Sequence, residues 1–464
     1  YEAYLELRQV GADTIVVLSA SDSITLRNVD AGSLTSADFI FTAAPLAPAQ
    51  MLAPQSSMVL NHVLRIDGGE RLDIARVQAI QIGASDATAA GFVMQTTQEE
   101  IIPALFNDGH ISVNGGGGFS TVAGLFEAMP ISSIFNSAFV NRGGGVFELT
   151  TTGETRAVGV LGVQIIDNAG TLRVVSGGDA DGIESYGDVV NTGLIEVRAG
   201  GGGRGVVLTS GGGEFWNAGT INVTGVEASV GVFARQASRD ADMLHALTSF
   251  VNSGTIQVTD STDALDSVGL LFSTLIKSYF FNSGLIVADY AIRQDSWISS
   301  PERSISTFFN TGELRGLVEL GVEQSRLFND GLIVGRVDMG ASDDIYEGRA
   351  GLQSGGVYGG DGADIILMGQ GADILNGGDG ADTLDGGDGA DALTGGDGSD
   401  VFYVGSGADR IMDFSSAQGD IIRVVGFATW QTITQQGNDV LIVFSDTASL
   451  LLADVTLASV SAAN

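Results

Sequence analysis

Between residues 359 and 412 the chain repeats itself every nine residues, and that period leaves few folds open. The copies run Gly359-Gly360-Asp361-Gly362-Ala363-Asp364-Ile365-Ile366-Leu367, then Met368-Gly369-Gln370-Gly371-Ala372-Asp373-Ile374-Leu375-Asn376. Three cleaner copies begin at Gly377, Gly386 and Gly395, and a degraded one begins at Val404. Asp364, Asp373, Asp382, Asp391, Asp400 and Asp409 fall in one phase, and Asp361, Asp379, Asp388 and Asp397 precede four of them within their copies. A large apolar residue follows at the eighth position (Ile366, Leu375, Leu384, Leu393, Phe402, Ile411), which a disordered Gly/Asp linker has no reason to keep. If two nonapeptides make one turn of a parallel roll, copies n and n+2 stack on the same edge, about one strand spacing apart. The glycines let each loop curl so that backbone carbonyls point inward, and the sixth-position aspartate adds a carboxylate. Such an oxygen set suits a hard cation that accepts roughly 6–8 oxygens at ~2.3–2.6 Å, which is calcium, whereas magnesium demands a tighter octahedron. An imperfect herald, Met339-Gly340-Ala341-Ser342-Asp343-Asp344-Ile345-Tyr346, stands upstream in a different register and adds Asp344 to the candidate ligands.

The charge of the whole chain agrees with cation recruitment. Formal net charge is −35, and Lys277 is the only lysine. That argues against the basic patches by which nucleic acid or anionic membranes are bound. No apolar run approaches the ~18 residues that a spanning helix needs, so no membrane span is expected. There is no cysteine, which removes disulfides, thiolate nucleophiles and Cys-ligated zinc.

Upstream of the nonapeptides, glycines, of which the whole chain has 67, punctuate short Val/Ile/Leu/Phe runs in the manner of many short strands. Residues 1–41 read as a small β unit, and 42–56, with Pro45, Pro48 and Pro54, read as a linker. From 57 to 338 an Asn-x-Gly signature recurs at Asn107, Asn168, Asn191, Asn217, Asn252, Asn282, Asn310 and Asn329, each followed by an apolar alternation such as Thr220-Ile221-Asn222-Val223. Such spacing is one coil of a parallel β-helix with variable loops. Asn-x-Gly would supply the turn, because glycine tolerates φ > 0 and asparagine can bond its neighbours' backbone. Trp216, Val251, Phe281, Phe309 and Phe328, each just before its asparagine, are expected to stack inside from coil to coil. A series of antiparallel hairpins joined by the same turns is the competing arrangement.

The tract matches GGxGxDxUx and so resembles the RTX nonapeptide of haemolysin-type calcium-binding proteins, in which U points into the roll. The resemblance implies an all-β chain: a parallel β-helix (β-solenoid) over 57–338, an RTX calcium-binding parallel β-roll over 339–412 and a closing β module over 413–464. It implies about four or more Ca2+ ions, with roll folding coupled to calcium, and export by a type I system to the cell surface or beyond. Relatives that carry such rolls are often enzymes, but the chain has no His-Glu-x-x-His and no Gly-x-Ser-x-Gly. A β-helix before RTX repeats also resembles secreted polysaccharide epimerases and lyases. The nearest candidates for their chemistry are Glu184, Tyr186 and Asp188, with Arg204, although Tyr186-Gly187-Asp188 lacks the epimerase signature. An S-layer, filament or adhesin role is favoured over that enzyme, with other copies of the chain or a cell-surface polysaccharide as partner.

One further pattern joins the two ends. Tyr1–Asp38 lies on Phe427–Asn464 without a gap, and Gln9, Gly11, Asp13 and Val17 meet Gln435, Gly437, Asp439 and Val443. Both segments should be the same strand set with the same faces buried. The first is then expected to be the closing module of an earlier roll, in a polypeptide that continues upstream or in a head-to-tail contact between subunits.

Overall fold

The computed structural model describes residues 104–115, 121–128, 137–209, 213–235, 249–260, 267–273, 279–294 and 305–460, and backbone strands between residues 6 and 95. It divides into two units, Tyr1–Ala47 and Pro48–Asn464. Among the described residues the elements are β-strands and one 3-10 turn, and no helix is long and apolar enough to cross a membrane.

A coil of the larger unit runs strand, Asn-x-Gly turn, strand, bend, strand. Glu214–Asn217, Thr220–Gly225 and Glu227–Arg235 make one coil, and Ser249–Asn252, Thr255–Asp260 and Val268–Ser273 make the next. Corresponding strands pair in parallel, with Phe215 opposite Phe250 and Ile221 opposite Ile256. The turns therefore join strands of a parallel β-helix, and the hairpin arrangement does not occur in these coils.

The asparagines hold the coils in register. Each is buried, and its Nδ2 donates to the Oδ1 of the next, from Asn107 to Asn141 (2.9 Å) through Asn168, Asn191, Asn217, Asn252, Asn282 and Asn310 to Asn329 (2.7 Å). Asn141, in Asn141-Arg142-Gly143, is a rung that the sequence pattern had not included. The glycine of the turn is needed for closeness and not for a left-handed backbone. A Cβ on Gly219 would lie 2.6 Å from the Thr192 carbonyl carbon, and Gly219 is not among the positive-φ glycines.

With asparagine inward, strand alternation turns its predecessor outward. This corrects the expected core: Trp216 and Phe281 are 46% and 41% exposed, and Val251, Phe309 and Phe328 are only partly buried. The inner stack is one residue earlier, with Phe215 on Phe250 (5.0 Å) and Phe280 on Phe308 (4.6 Å). Deleting one rung tests the ladder. Asn252→Ala removes the acceptor of Asn217 Nδ2 and the donor to Asn282 Oδ1. Two buried amide groups lose partners, so we expect a destabilisation of about 2–4 kcal/mol in denaturant unfolding, against under about 0.5 kcal/mol for exposed Ser253→Ala.

The β-helix passes into the roll without a break. Gln324–Asn329, Ile345–Glu347, Ile365–Leu367, Thr383–Asp385 and Val401–Val404 pair in parallel, one after another. Where the asparagines end, the buried Tyr346 hydroxyl accepts from Asn329 Nδ2 at 3.4 Å. The herald joins the same stack despite its different spacing, because Ile345 pairs with Ile365. Its two extra residues are taken up between Glu347 and Val357, ten positions apart where the aligned Leu367 and Leu375 are eight apart.

Thr432–Gln436, Asp439–Ser445 and Ala448–Leu452 form an antiparallel meander whose last strand pairs in parallel with Gly407–Ile411, burying Val440, Leu450 and Leu452. The smaller unit is the same meander. Its pairs Glu6↔Val17, Val10↔Asp13 and Thr14↔Leu26 correspond, each shifted by 426, to Thr432↔Val443, Gln436↔Asp439 and Val440↔Leu452. Most of the stretch read as a linker lies outside the described residues, but Gln50–Met51 within it pairs with Leu72 and Asp73 as a strand.

Candidate calcium site

Alternation also places the roll's aspartates. Each phased aspartate stands two residues before a buried apolar residue and so faces the same side; all six are at most 6% exposed. Stacking sorts them into two columns, one on each edge. On the first, the Asp344 N–H donates to Asp364 Oδ1 (2.8 Å), Asp364 N–H to Asp382 (2.8 Å), Asp382 N–H to Asp400 (2.9 Å) and Asp400 N–H to Asp420 (3.1 Å). On the second, Asp373 N–H donates to Asp391 (2.9 Å) and Asp391 N–H to Asp409 (3.2 Å).

These bonds use one carboxylate oxygen each. Oδ2 of Asp344, Asp364, Asp373, Asp382, Asp400 and Asp409 is buried with no hydrogen-bond partner. In the regular copies it occupies the space left by the first glycine, where a Cβ on Gly359, Gly377 or Gly395 would collide with Oδ2 of Asp364, Asp382 or Asp400. The second and fourth positions need glycine for another reason, with φ of +108° at Gly360, +131° at Gly362 and +138° at Gly380. Their carbonyls crowd the next coil, Gly362 against Gly380 and Gly380 against Gly398.

Burial pushes the carboxyls up: Asp364 and Asp373 to about 6, Asp382 and Asp409 to about 7, and Asp344 to about 9, with Asp391 and Asp400 also raised. Desolvation is the largest cause in every case; for Asp382 the charges of Asp364 and Asp400 add to it, against the opposing N–H of Asp364. Among the described residues no three acidic or histidine side chains converge on one point, so a cation here must take backbone carbonyls as well. Stacked orphan carboxylate oxygens, glycine-opened loops and coil-facing carbonyls fit a hard, oxygen-liganded ion. Bound there, calcium would supply the positive charge that the columns lack.

Asp361, Asp379 and Asp397 are exposed and lie one above another on the rim, outside the buried column. Asp388 sits on the other edge opposite Gln370 and accepts from Ser406 Oγ (2.5 Å). Two aspartates escaped the sequence pattern. Asp420 ends the first column with its second oxygen satisfied by the Ser415 N–H (2.7 Å), and Asp413 accepts from the N–H groups of Gly395 (2.9 Å) and Gly396 (2.8 Å). Asp420-Ile421-Ile422 repeats Asp364-Ile365-Ile366, but it follows Asp400 by twenty residues, not eighteen.

The candidates for polysaccharide chemistry split: Glu184 and Arg204 belong to one ion-pair network through Arg156 and Asp181, and Tyr186 and Asp188 are exposed residues after it. Glu184 Oε2 pairs with Arg156 (2.7 Å), and Arg204 is turned to the fully buried Asp181 (3.0 Å), which Arg156 also contacts. Tyr186 is 38% exposed, and Asp188 is an exposed residue accepting from the Glu214 N–H (2.9 Å).

Fold and site together define an all-β solenoid whose final coils form a calcium-binding roll. A family model, the RTX calcium-binding nonapeptide repeat, matches residues 357–375 and 376–411 in four copies. These residues are thus similar to that repeat family. No curated protein matches the chain.

Proposed function

We propose that the chain is an extracellular, calcium-dependent structural protein of the S-layer, filament or adhesin type, exported by a type I system. One observation carries this reading: β-helix and roll share continuous sheets, so the calcium state of the roll sets whether one end of the rod is ordered. Asp344, Asp364, Asp373, Asp382, Asp391, Asp400 and Asp409 supply the carboxylates, and the gaps between successive members of this set, three in the first column and two in the second, hold about five ions. The rim residues Asp361, Asp379, Asp388 and Asp397 draw calcium toward those gaps. In the calcium-poor cytosol the roll stays open and exportable, and external calcium folds it. The repeated meander supports serial use of the unit, since one segment has the strand register of the other. Electron microscopy of the protein in millimolar calcium should show ordered sheets or fibres that chelator disperses. Protein that remains dispersed in calcium at every concentration, while its roll is folded, would overturn the assembling role.

A further inference from the structure

The outward face of the asparagine strands carries two parallel rows, which cross the five coils from Glu214–Asn217 to Gln324–Asn329 and continue beyond them to Asp188 and Val190 on one side and Ile345 and Glu347 on the other. In the first row Trp216, Val251, Phe281, Phe309 and Phe328 stand on successive coils in direct register. In the second, Glu214, Ser249, Tyr279, Thr307 and Arg326 do the same. The rows are exposed where aromatic residues are commonly covered, with Tyr279 at 50% and Trp216 at 46%. Arg326 has a buried Nε with no hydrogen-bond partner, and neither it nor the Glu214 carboxylate has an ion pair among the described residues.

The rings decide the kind of partner. Phe281 and Phe309 stack at 4.9 Å and 6°, and Phe309 and Phe328 at 5.2 Å and 11°. Each ring covers the face of its neighbour, so what the ladder offers outward is ring edges. A sugar ring binds aromatic residues on an open face, which the Phe281–Phe309–Phe328 ladder withholds; a second apolar strip can pack on its edges.

The charges decide the orientation. Glu214 and Arg326 lie in the same row, each two strands from Tyr279 and on opposite sides of it. Consider a second copy laid face to face about a two-fold axis along strand Tyr279–Asn282. Glu214 then meets Arg326 of the second copy, Ser249 meets Thr307, and Trp216 meets Phe328, while Tyr279 and Phe281 meet themselves. We propose that this strip is a self-complementary lateral contact between two antiparallel copies of the chain. It extends the structural reading above by giving it a surface, and it does not depend on the calcium columns. Five strands span about 19 Å at ~4.8 Å each. With its two rows roughly 7 Å apart, the strip covers an area well short of the ~800 Å2 per partner in a stable complex, so one contact is weak and gains strength only when copies are arrayed.

Charge reversal with mixing tests it. Sedimentation velocity of the calcium-loaded full chain should show concentration-dependent dimerisation. Glu214→Arg and Arg326→Glu should each weaken it roughly ten-fold, because each homodimer then faces like charges twice. An equimolar mixture of the two variants should recover wild-type association, since every pair across the contact is again of opposite sign. Phe281→Glu should abolish association in any mixture. Circular dichroism and calcium titration of each variant should match wild type, which separates failure of this contact from failure of the calcium reading. A mixture no tighter than either variant alone overturns the proposal. So does a Phe281→Glu protein that still dimerises but loses retention on an acidic polysaccharide.

Discussion

Chelating calcium at pH 8 is expected to unfold residues 340–426 while the asparagine-laddered coils upstream stay folded, and lowering the pH in chelator is expected to restore part of the roll. The columns place carboxyls one coil apart, buried, with a free oxygen on most of them. Without a cation their ionised forms repel one another in a poorly solvated space. Their folded values of about 6 to about 9 lie above the ~3.9 of an unfolded aspartate. A raised value means that the fold favours the protonated form. The associated stability is fully present below about pH 4 and is lost as pH rises through the folded values. The chelated roll should therefore strengthen from pH 8 to pH 5. The calcium-loaded roll should weaken over the same range as protons compete with the ion for the same oxygens. Far-UV circular dichroism and hydrogen exchange with and without chelator, at pH 8, 7, 6 and 5, read both curves. An unchanged spectrum on chelation at pH 8, or parallel curves in the two conditions, would contradict the columns as the source of calcium dependence.

The roll was legible because each position of the nonapeptide is constrained by a different force, and the residue types record it. Glycine marks a positive φ at Gly362 and missing Cβ space at Gly359, while Leu384 and Phe402 mark the core. The β-helix coil was legible from Asn-x-Gly for the same reason, yet its faces were misassigned. Hydrophobicity alone puts Phe281 inside, but the buried amide of Asn282 claims the inner side of that strand, and alternation gives Phe281 the outer one. No feature of an isolated coil signals this, because the inward asparagine needs polar partners that only the neighbouring coils supply. Asp420 was missed because a strict nine-residue count fails where the last coil lengthens, and Asp413 because it stands, in count, at the first position, which is glycine in the regular copies; the backbone partners of both continue the stack. The common register of the two meanders could be read beforehand, since an ungapped offset carries both the turn positions and the alternation of faces.

Replacing Asp382 by alanine is expected to raise the calcium midpoint for roll folding roughly ten-fold, and replacing Asp409 by alanine roughly three-fold, a difference that follows from position in the columns. Asp382 has a coil on both sides: its Oδ1 accepts from Asp364 at 2.8 Å and its own N–H donates to Asp400 at 2.9 Å. Its carboxylate borders two gaps. Asp409 closes the second column, with Asp391 on one side and the meander strand Ala448–Leu452 on the other, and so borders one. Asp382→Asn separates charge from shape, because an amide oxygen can still accept from the Asp364 N–H while the free oxygen and its charge are lost. If calcium binding is what matters, the asparagine variant should shift the midpoint nearly as far as alanine does. If the inter-coil hydrogen bond dominates, it should behave as wild type. Asp379→Ala, on the exposed rim, should move the midpoint least. Calcium titrations followed by circular dichroism rank the four variants. Equal shifts for Asp382→Ala and Asp409→Ala would mean that the sites act independently of their neighbours, which two stacked columns do not allow.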